Sequence, residues 1–192
     1  MERTAEYWNS RYQENNIPWD ICQVSPAIKK IIEGLDKNTS VLVPGAGHAH
    51  EAIYMHRAGF KNVFVCDWAE ASFRYIREKT EGFPESHLLC GDFFLLEGAY
   101  DLILEQTFFC AIDPSKRTDY LLTAKRLLKD GGMVAGLLFA SHFPKQGPPF
   151  GGTKEEYLDL FKPHFDILSM ELAQNSISPR LGNELLFKMK KK

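Results

Sequence analysis

From Asp36 onward, short apolar runs alternate with longer stretches that place apolar residues at helical spacing. Glycine, asparagine and aspartate separate many of these segments, as expected of turns and helix ends. The apolar runs predict seven strands, at Ser40–Val43, Asn62–Cys66, His87–Cys90, Tyr100–Leu104, Met133–Phe139, Phe165–Leu172 and Asn183–Met189. The stretches between them predict helices at Ala49–Ala58, Ala69–Glu81, Ser115–Leu128 and Lys154–Phe161. Strands separated by helices indicate a mostly parallel sheet covered on both faces, and the last two strands, with no helix between them, should pair antiparallel.

Two further helices precede this alternating region. Glu2–Glu14 has helical character and carries three aromatic residues, and Asn15–Pro18 ends it. A second helix begins at Ser25-Pro26, with serine as N-cap and proline at the first helical position. We therefore predict one domain over 1–192, with an N-terminal helical lid over 1–36 and a core over 37–192.

Composition narrows the class of protein. The chain has 192 residues, 44% hydrophobic and 25% charged, which suits one globular domain. Its formal charge of −2 gives no reason to expect a nucleic-acid partner. The start of the sequence lacks an apolar signal core, and the longest apolar run, Met133–Ala140, is too short to cross a bilayer. We expect a cytoplasmic monomer without a membrane partner, whose four cysteines are small, buried and reduced.

Chemistry-bearing residues follow three successive strands. Gly45 and Gly47 form a glycine loop after the first strand, Asp67 ends the second, and Asp92-Phe93 follows the third. Open α/β sheets bind ligands at these strand ends, and a carboxylate about 20 residues after such a loop can hold a ribose. A dinucleotide fingerprint would have glycine where His50 stands, so the pattern predicts a nucleoside site without a pyrophosphate site. S-adenosylmethionine (SAM) fits that description, although a tight turn, a helix cap and a plain loop explain the same residues singly.

The sequence also resembles the thiopurine S-methyltransferase family, closest to its branch of thiol, thiocyanate and halide methyltransferases. The resemblance runs from about Tyr7 to the last strand. It is carried by Tyr7-Trp8-x-x-Arg11-Tyr12, Pro18-Trp19-Asp20, Val43-Pro44-Gly45-x-Gly47, Phe108-Phe109-Cys110-Ala111-Ile112-Asp113-Pro114 and Gly147-Pro148-Pro149-Phe150. It implies a single-domain, doubly wound, Rossmann-like SAM-methyltransferase fold. It also implies transfer of a methyl group from SAM to a small-molecule acceptor, first of all the sulfur of a thiol or thiopurine-like compound and alternatively a halide or thiocyanate ion, leaving S-adenosylhomocysteine.

The family's functional positions can be carried over residue by residue. The resemblance implies cofactor-binding roles for Trp8, Tyr12, Trp19, Gly45, Gly47, Asp67, Asp92, Phe93 and Gln106. Gln106 stands where the plant branch has tyrosine, and Tyr12 replaces a tryptophan. Arg117 and Arg180 match arginines near the acceptor, where a guanidinium would favour an anionic nucleophile. Phe108 and Phe109 either line the acceptor pocket or pack in the core.

Other functions fit the sequence less well. A halide methyltransferase would share this fold, and a SAM-binding protein without catalysis would share the cofactor residues. A dinucleotide oxidoreductase is disfavoured by His50 and by the absence of a substrate domain. His48, His50 and Glu51 could bind zinc, but no third ligand set at suitable spacing accompanies them, so we predict no metal.

Overall fold

The computed structural model describes residues 4–192, so the starts of the predicted lid at Met1 and of the first predicted helix at Glu2 lie outside the described residues. One sheet runs through this part of the chain, with strand order β3-β2-β1-β4-β5-β7-β6. Its strands are β1 (Val41–Pro44), β2 (Val63–Asp67), β3 (Leu88–Cys90), β4 (Tyr100–Gln106), β5 (Leu128–Phe139), β6 (Phe165–Leu172) and β7 (Glu184–Lys191). The first five strands are parallel, whereas β7 inserts antiparallel between β5 and β6. The predicted seven-stranded α/β sheet and its closing antiparallel hairpin are confirmed.

The helices cover both faces of this sheet. They are α1 (Ala5–Gln13), α2 (Pro26–Glu33), α3 (His50–Arg57), α4 (Phe73–Lys79), α5 (Arg117–Leu127) and α6 (Lys154–Phe161). α6 has the predicted bounds, and its N-terminus forms a capping box between Thr153 and Glu156. The stretch predicted as a helix from Ala69 instead starts with a 3₁₀ turn, Glu70–Ser72, before α4.

Successive residues of β1 enter opposite core layers, as the twofold alternation of a strand requires. Leu42 packs in the layer that contains Tyr120 and Phe161. Val41 and Val43 pack in the other layer, beside Ile28 of α2. Both faces of the sheet are therefore covered.

The two N-terminal helices differ in their relation to that core. α1 buries none of its residues, whereas α2 buries Ala27, Ile28, Ile31 and Ile32. Pro26 takes the first helical position, as predicted, but the Ser25 side chain makes no capping hydrogen bond. The predicted lid boundary at residue 36 is therefore too late, because α2 packs into the core and only the segment before it lies outside.

Two further details differ from the sequence-based expectations. β5 starts at Leu128 rather than Met133, because Leu128 already pairs with Tyr100 and the register shifts before Leu102. Cys66 and Cys110 are buried, but Cys22 and Cys90 are exposed, so the expectation that all four are buried was wrong. No helix within residues 4–192 is long and apolar enough to cross a membrane.

Candidate active site

A cavity of about 640 Å³ lies at the carboxyl ends of the parallel strands. The residues that follow β1 to β4 contribute Gly45, Asp67, Asp92 and Phe108 to its wall. Side chains of the N-terminal segment and of the loops after β5 and β6 complete the wall. The volume is in the range of small-molecule sites, and the location is the one expected for an open α/β sheet.

The glycine loop requires glycine at both positions. Gly45 and Gly47 have φ angles of +55° and +53°, which disfavour any side chain. A Cβ atom on Gly45 would lie 2.7 Å from Cγ of Phe108, and one on Gly47 would lie 2.7 Å from the Tyr12 hydroxyl. The absent side chains therefore let Phe108 and Tyr12 approach the loop backbone.

Asp67 joins this loop to the end of β2. Its Oδ2 accepts a hydrogen bond from the Gly47 amide and its Oδ1 accepts one from the Ala69 amide, both at 2.9 Å. Burial raises the pKa of this carboxyl, and the backbone donors oppose that shift. The bond to Ala69 is a local contact rather than the helix cap that the sequence left open, because Ala69 and Ser72 are the N-cap residues of the two following helical segments and neither segment has a side-chain cap; Asp67 also lines the cavity.

Asp92 and Phe93 lie on the next strand end. Asp92 caps a short 3₁₀ turn by accepting a 2.9 Å hydrogen bond from the Phe94 amide. The ring of Phe93 stacks on Tyr120, with centroids 5.4 Å apart. Both residues also line the cavity, so a wall with one carboxylate and one aromatic ring stands beside Asp67.

Three predicted aromatic residues form the roof of the cavity. Trp8 and Tyr12 come from α1 and Trp19 from the loop after it. The ring centroids lie 5.5 Å apart for Trp8 and Trp19 and 5.9 Å apart for Tyr12 and Trp19. Trp19 Nε1 donates to the Tyr12 hydroxyl at 3.4 Å. Burial, with Asp67 nearby, raises the pKa of Tyr12 so that its hydroxyl stays neutral.

Gln106 lines a smaller adjoining pocket of about 50 Å³ beside the glycine loop. Its Oε1 atom is buried and has no hydrogen-bond partner in the described part of the chain. Glu51, at the start of α3, lines the same pocket, and burial raises its pKa. Two buried acceptor groups therefore face a space suited to a donor or a cation.

Arg180 is the predicted arginine that lines the main cavity. Its Nη2 donates to the Trp19 carbonyl at 2.9 Å, and its Nη1 lies 3.4 Å from Oε1 of Glu184. Its guanidinium carbon lies 5.7 Å from the centroid of the Phe139 ring. This cation is thus held between the roof and β7.

Arg117 does not line the cavity, contrary to its predicted place beside the acceptor. Its Nη2 donates to the carbonyls of Phe150 and Gly151, at 3.1 and 3.0 Å. Its guanidinium carbon lies 4.9 Å from the Phe109 ring centroid and 5.7 Å from that of Tyr157. These contacts direct its charge behind the wall, where it anchors the loop that carries Phe150.

The part of the cavity near Arg180 is mostly apolar. Its wall includes aromatic, proline and aliphatic residues: Phe108, Ile112, Phe139, Phe143, Pro148, Pro149 and Phe150. Of the two phenylalanines left open by the sequence, Phe108 lines the cavity and Phe109 is buried in the core with 1% exposure.

Two carboxylates near this cavity, those of Glu105 and Asp20, were not predicted from the sequence as site residues. Glu105 is fully buried at the end of β4 and accepts hydrogen bonds from the Phe108 and Phe109 amides and the Tyr120 hydroxyl. The signal for it was an acid directly after the apolar run Leu102–Leu104. Asp20 accepts from His48 and His50, and the possible ligand atoms of these three residues lie within 4.8 Å of one another. A third candidate ligand therefore exists, so the reason given against a metal was wrong, although the absence of a metal stays a prediction.

Comparison with known proteins agrees with this geometry. A family model described as thiopurine S-methyltransferase (TPMT) matches residues 3–191. A probable thiol methyltransferase 2 of Arabidopsis thaliana is 29% identical, covering 99% of this chain and 87% of its own. Thiocyanate methyltransferase 1 of Brassica oleracea is 27% identical, covering 96% and 84%.

Among solved structures, the 1,6-didemethyltoxoflavin-N1-methyltransferase of Burkholderia thailandensis, with bound 1,6-didemethyltoxoflavin and S-adenosylhomocysteine, superposes with a TM-score of 0.77. It is 20% identical, and the match covers 98% of this chain and 87% of that one, which supports the fold alone. The family match spans nearly the whole sequence and its residues build the cavity described above. The chain therefore belongs to the thiopurine S-methyltransferase family and is a SAM-dependent methyltransferase.

Proposed function

We propose that the chain transfers the methyl group of SAM to the sulfur of a small thiol or thiopurine-like compound. The observation that carries the proposal is a single cavity with two different halves. One half presents the strand-end carboxylates Asp67 and Asp92, and the other is mostly apolar with Arg180 in its wall; Arg11 and Lys116 also line the cavity. Such a cavity suits a nucleoside beside a small, flat or anionic nucleophile.

The polar half fits SAM by the chemistry of its groups. Asp67 would accept from the ribose hydroxyls, and Asp92 with Phe93 would hold the adenine. The unpartnered Gln106 Oε1 and the buried Glu51 would accept from the ammonium group of the amino-acid part. When bound, SAM supplies a methyl group on a cationic sulfur that is open to in-line displacement.

The roof would exclude water and favour the positive charge of the cofactor. The faces of aromatic rings attract cations, and Trp8, Tyr12 and Trp19 lie together over the cavity. A dry site also strengthens the attraction between a thiolate and a nearby guanidinium. Closing the roof would therefore help to orient the cofactor and to stabilise both the positive charge of its sulfur and the negative charge of a bound thiolate.

The acceptor needs little help from a general base, because the thiolate is itself a strong nucleophile. Arg180 would stabilise this anion before the transfer, and the apolar wall would orient it. Burial raises the pKa values of Cys66 and Cys110, which line the same cavity, to about 12. These thiols stay protonated and do not compete with the acceptor.

A second candidate is methylation of thiocyanate or a halide ion. Arg180 in an apolar wall favours a small, weakly hydrated anion, and the Brassica oleracea relative is named a thiocyanate methyltransferase. The relative rates with thiols and with these anions distinguish the two candidates.

The deciding experiment is a methyl-transfer screen with SAM against aromatic and aliphatic thiols, thiopurines, thiocyanate, selenite and iodide. We expect the highest kcat/KM with a thiol or thiopurine. A preference for thiocyanate or iodide would select the second candidate, and binding of S-adenosylhomocysteine without turnover of any acceptor would contradict both.

The same proposal takes the enzyme to be a cytoplasmic monomer that acts without nucleic acid. The free thiols of the exposed Cys22 and Cys90 suit a reducing compartment, and the formal charge of −2 gives no attraction to polyanions. Light scattering coupled to size-exclusion chromatography should give the 21.9 kDa mass of one chain.

A further inference from the structure

Asp20 links the N-terminal segment to the glycine loop through both of its carboxylate oxygens. Oδ2 accepts from Nδ1 of His48, and Oδ1 lies 2.7 Å from Nε2 of His50. Oδ1 also accepts from the Cys22 amide at 2.7 Å. The Asp20 side chain is 9% exposed, so these partners replace most of its hydration.

The two histidines lie on either side of a sharp bend in the backbone. Ala49, between them, has a φ angle of +54°, and His50 is the first residue of α3. The His48 ring stacks on Tyr75 of α4 with centroids 4.3 Å apart, and His50 meets the same ring edge-on at 5.3 Å. Contacts with Tyr75 therefore position both imidazoles, and Asp20 meets them from the N-terminal segment, as Tyr12 does for His48 with ring centroids 5.8 Å apart.

Asp20 directly follows Trp19, which belongs to the roof. The Trp19 carbonyl accepts from Arg180, and its indole contacts Trp8 and Tyr12. Burial alone would raise the pKa of Asp20, but the hydrogen bonds from His48, His50 and Cys22 hold it well below its usual range. The contact is therefore charged at working pH, and a charge-assisted hydrogen bond is about twice as strong as a neutral one.

We propose that Asp20 is a positioning residue that holds the roof closed over the cofactor, and that breaking its bonds to His48 and His50 is required for release of S-adenosylhomocysteine. The inference rests on the assignment of the polar half of the cavity to SAM under Proposed function. Asp20 does not line the main cavity, although it borders the small adjoining pocket with Gln106 and Glu51, and the role proposed for it is carried by the neighbouring Trp19.

The test measures the dissociation rate of S-adenosylhomocysteine by stopped-flow tryptophan fluorescence, since Trp8 and Trp19 lie in the roof. Asp20→Ala should release the product about tenfold faster or more, because two charge-assisted hydrogen bonds are lost. The KM for SAM should rise with it, while the KM for the acceptor stays within about twofold.

A matched control is Asp36→Ala. Asp36 accepts from the backbone amide two residues later, as Asp20 does, but its exposed side chain lies away from the cavity. This variant should release the product at the wild-type rate. If Asp20→Ala also kept the wild-type rate while wild type binds S-adenosylhomocysteine, the positioning role would be refuted and the proposed function would stand.

Conservative variants separate hydrogen bonding from packing and from metal binding. The side-chain amides of His48→Asn and His50→Gln place a nitrogen near Nδ1 and Nε2, respectively, so the double variant should retain slow release. His48→Ala with His50→Ala should release the product as fast as Asp20→Ala.

The alternative occupant of this group is a divalent cation. If the amide double variant released product as fast as Asp20→Ala, and if EDTA treatment made wild type equally fast, the three residues would be metal ligands and the direct hydrogen-bonded contact would be overturned. Titration of the EDTA-treated protein with Co²⁺ should, under our proposal, give no ligand-field absorption that depends on His48 and His50.

Discussion

Arg117 and Arg180 match the same kind of family position, yet the structure gives them different surroundings. Arg180 borders the cavity between Trp19 and Glu184, whereas Arg117 donates to two carbonyls behind the wall. A guanidinium acts on a bound anion only where the two can approach, so we expect Arg180 to set the charge preference of the site and Arg117 to set the position of the loop that carries Phe150.

We therefore predict different effects of the matched variants Arg180→Gln and Arg117→Gln. Arg180→Gln should lower kcat/KM for anionic thiocyanate about tenfold more than for neutral thiourea, through loss of a charge-assisted contact. Arg117→Gln should lower both values by the same factor, because the loop carrying Phe150 loosens. Steady-state assays with both acceptors give the ratio of kcat/KM for thiocyanate to kcat/KM for thiourea in each variant. If Arg117→Gln lowered kcat/KM for thiocyanate more than for thiourea, Arg117 would return to its predicted place beside the acceptor.

A second prediction at the residue scale tests whether Asp67 binds the ribose of the cofactor. Asp67→Ala should weaken S-adenosylhomocysteine binding by about 1–3 kcal/mol, because the ribose and the Gly47 amide both lose an acceptor. Isothermal titration calorimetry measures the change, and Asp159→Ala, an exposed acid on α6, is the control. An unchanged affinity would leave Asp67 with its bonds to the Gly47 and Ala69 amides alone.

At the scale of elements, the carboxyl group of Glu105, the second-last residue of β4, accepts hydrogen bonds from the Phe108 and Phe109 amides of the following turn. Burial raises the pKa of Glu105 from 4.5 to about 7, although its three donors oppose the shift. The folded state therefore holds this proton at pH values where the unfolded chain has already lost it. Because the folded pKa is the higher one, stability is full below about pH 4.5 and falls as the pH rises toward 7.

Glu105→Gln removes this titration while keeping an oxygen for the Phe108 and Phe109 amides. Between pH 4.5 and 7 the unfolding free energy of wild type should fall relative to the variant by about 1.4 kcal/mol per pH unit. Urea denaturation at pH 5, 6 and 7 measures the difference. Parallel pH profiles would show that Glu105 is charged in the folded protein.

α1 and α2 should differ in dynamics as they do in burial. α1 buries no residue, whereas four residues of α2 are in the core. We predict that amides of α1 exchange quickly without ligand and slowly with S-adenosylhomocysteine, while α2 is protected in both states. Hydrogen-exchange mass spectrometry compares the two helices in one sample, and ligand-independent protection of α1 would contradict a lid.

The sequence predicted most elements because their signals are local, as with the apolar residues of β1 and the helical spacing of apolar residues in α6. It could not predict that α2 joins the core, since the amphipathic pattern of a helix does not say which surface it meets. It placed Gly45, Asp67 and Asp92 together because parallel strand ends share one edge. Asp20 escaped notice because its partners, His48 and His50, are 28 and 30 positions away. Arg117 was misplaced because a residue match gives no side-chain direction.

For the whole molecule, ligand binding should appear as stabilisation. At a concentration 100 times its Kd, S-adenosylhomocysteine should add about 2.7 kcal/mol to the unfolding free energy. For a domain of this size that raises Tm by about 5–10 °C. Thermal unfolding should show this shift with S-adenosylhomocysteine and none with NAD, because His50 stands where a dinucleotide fingerprint has glycine. A shift with NAD alone would contradict the cofactor assignment.

The position of β7 has a consequence for how the protein can be made. β7 is the last strand along the chain, yet it lies between β5 and β6, and its Glu184–Lys191 backbone bonds to both. During synthesis β6 therefore emerges before β7, the strand that attaches it to the sheet. Until β7 is made, the edge of β5 that β7 will cover has no hydrogen-bonding partner. A message truncated after Gly182 would yield a chain whose parallel half could form while that edge stayed available for wrong pairing. Correct pairing of β5 and β6 within the sheet thus has to wait until β7 has been synthesised.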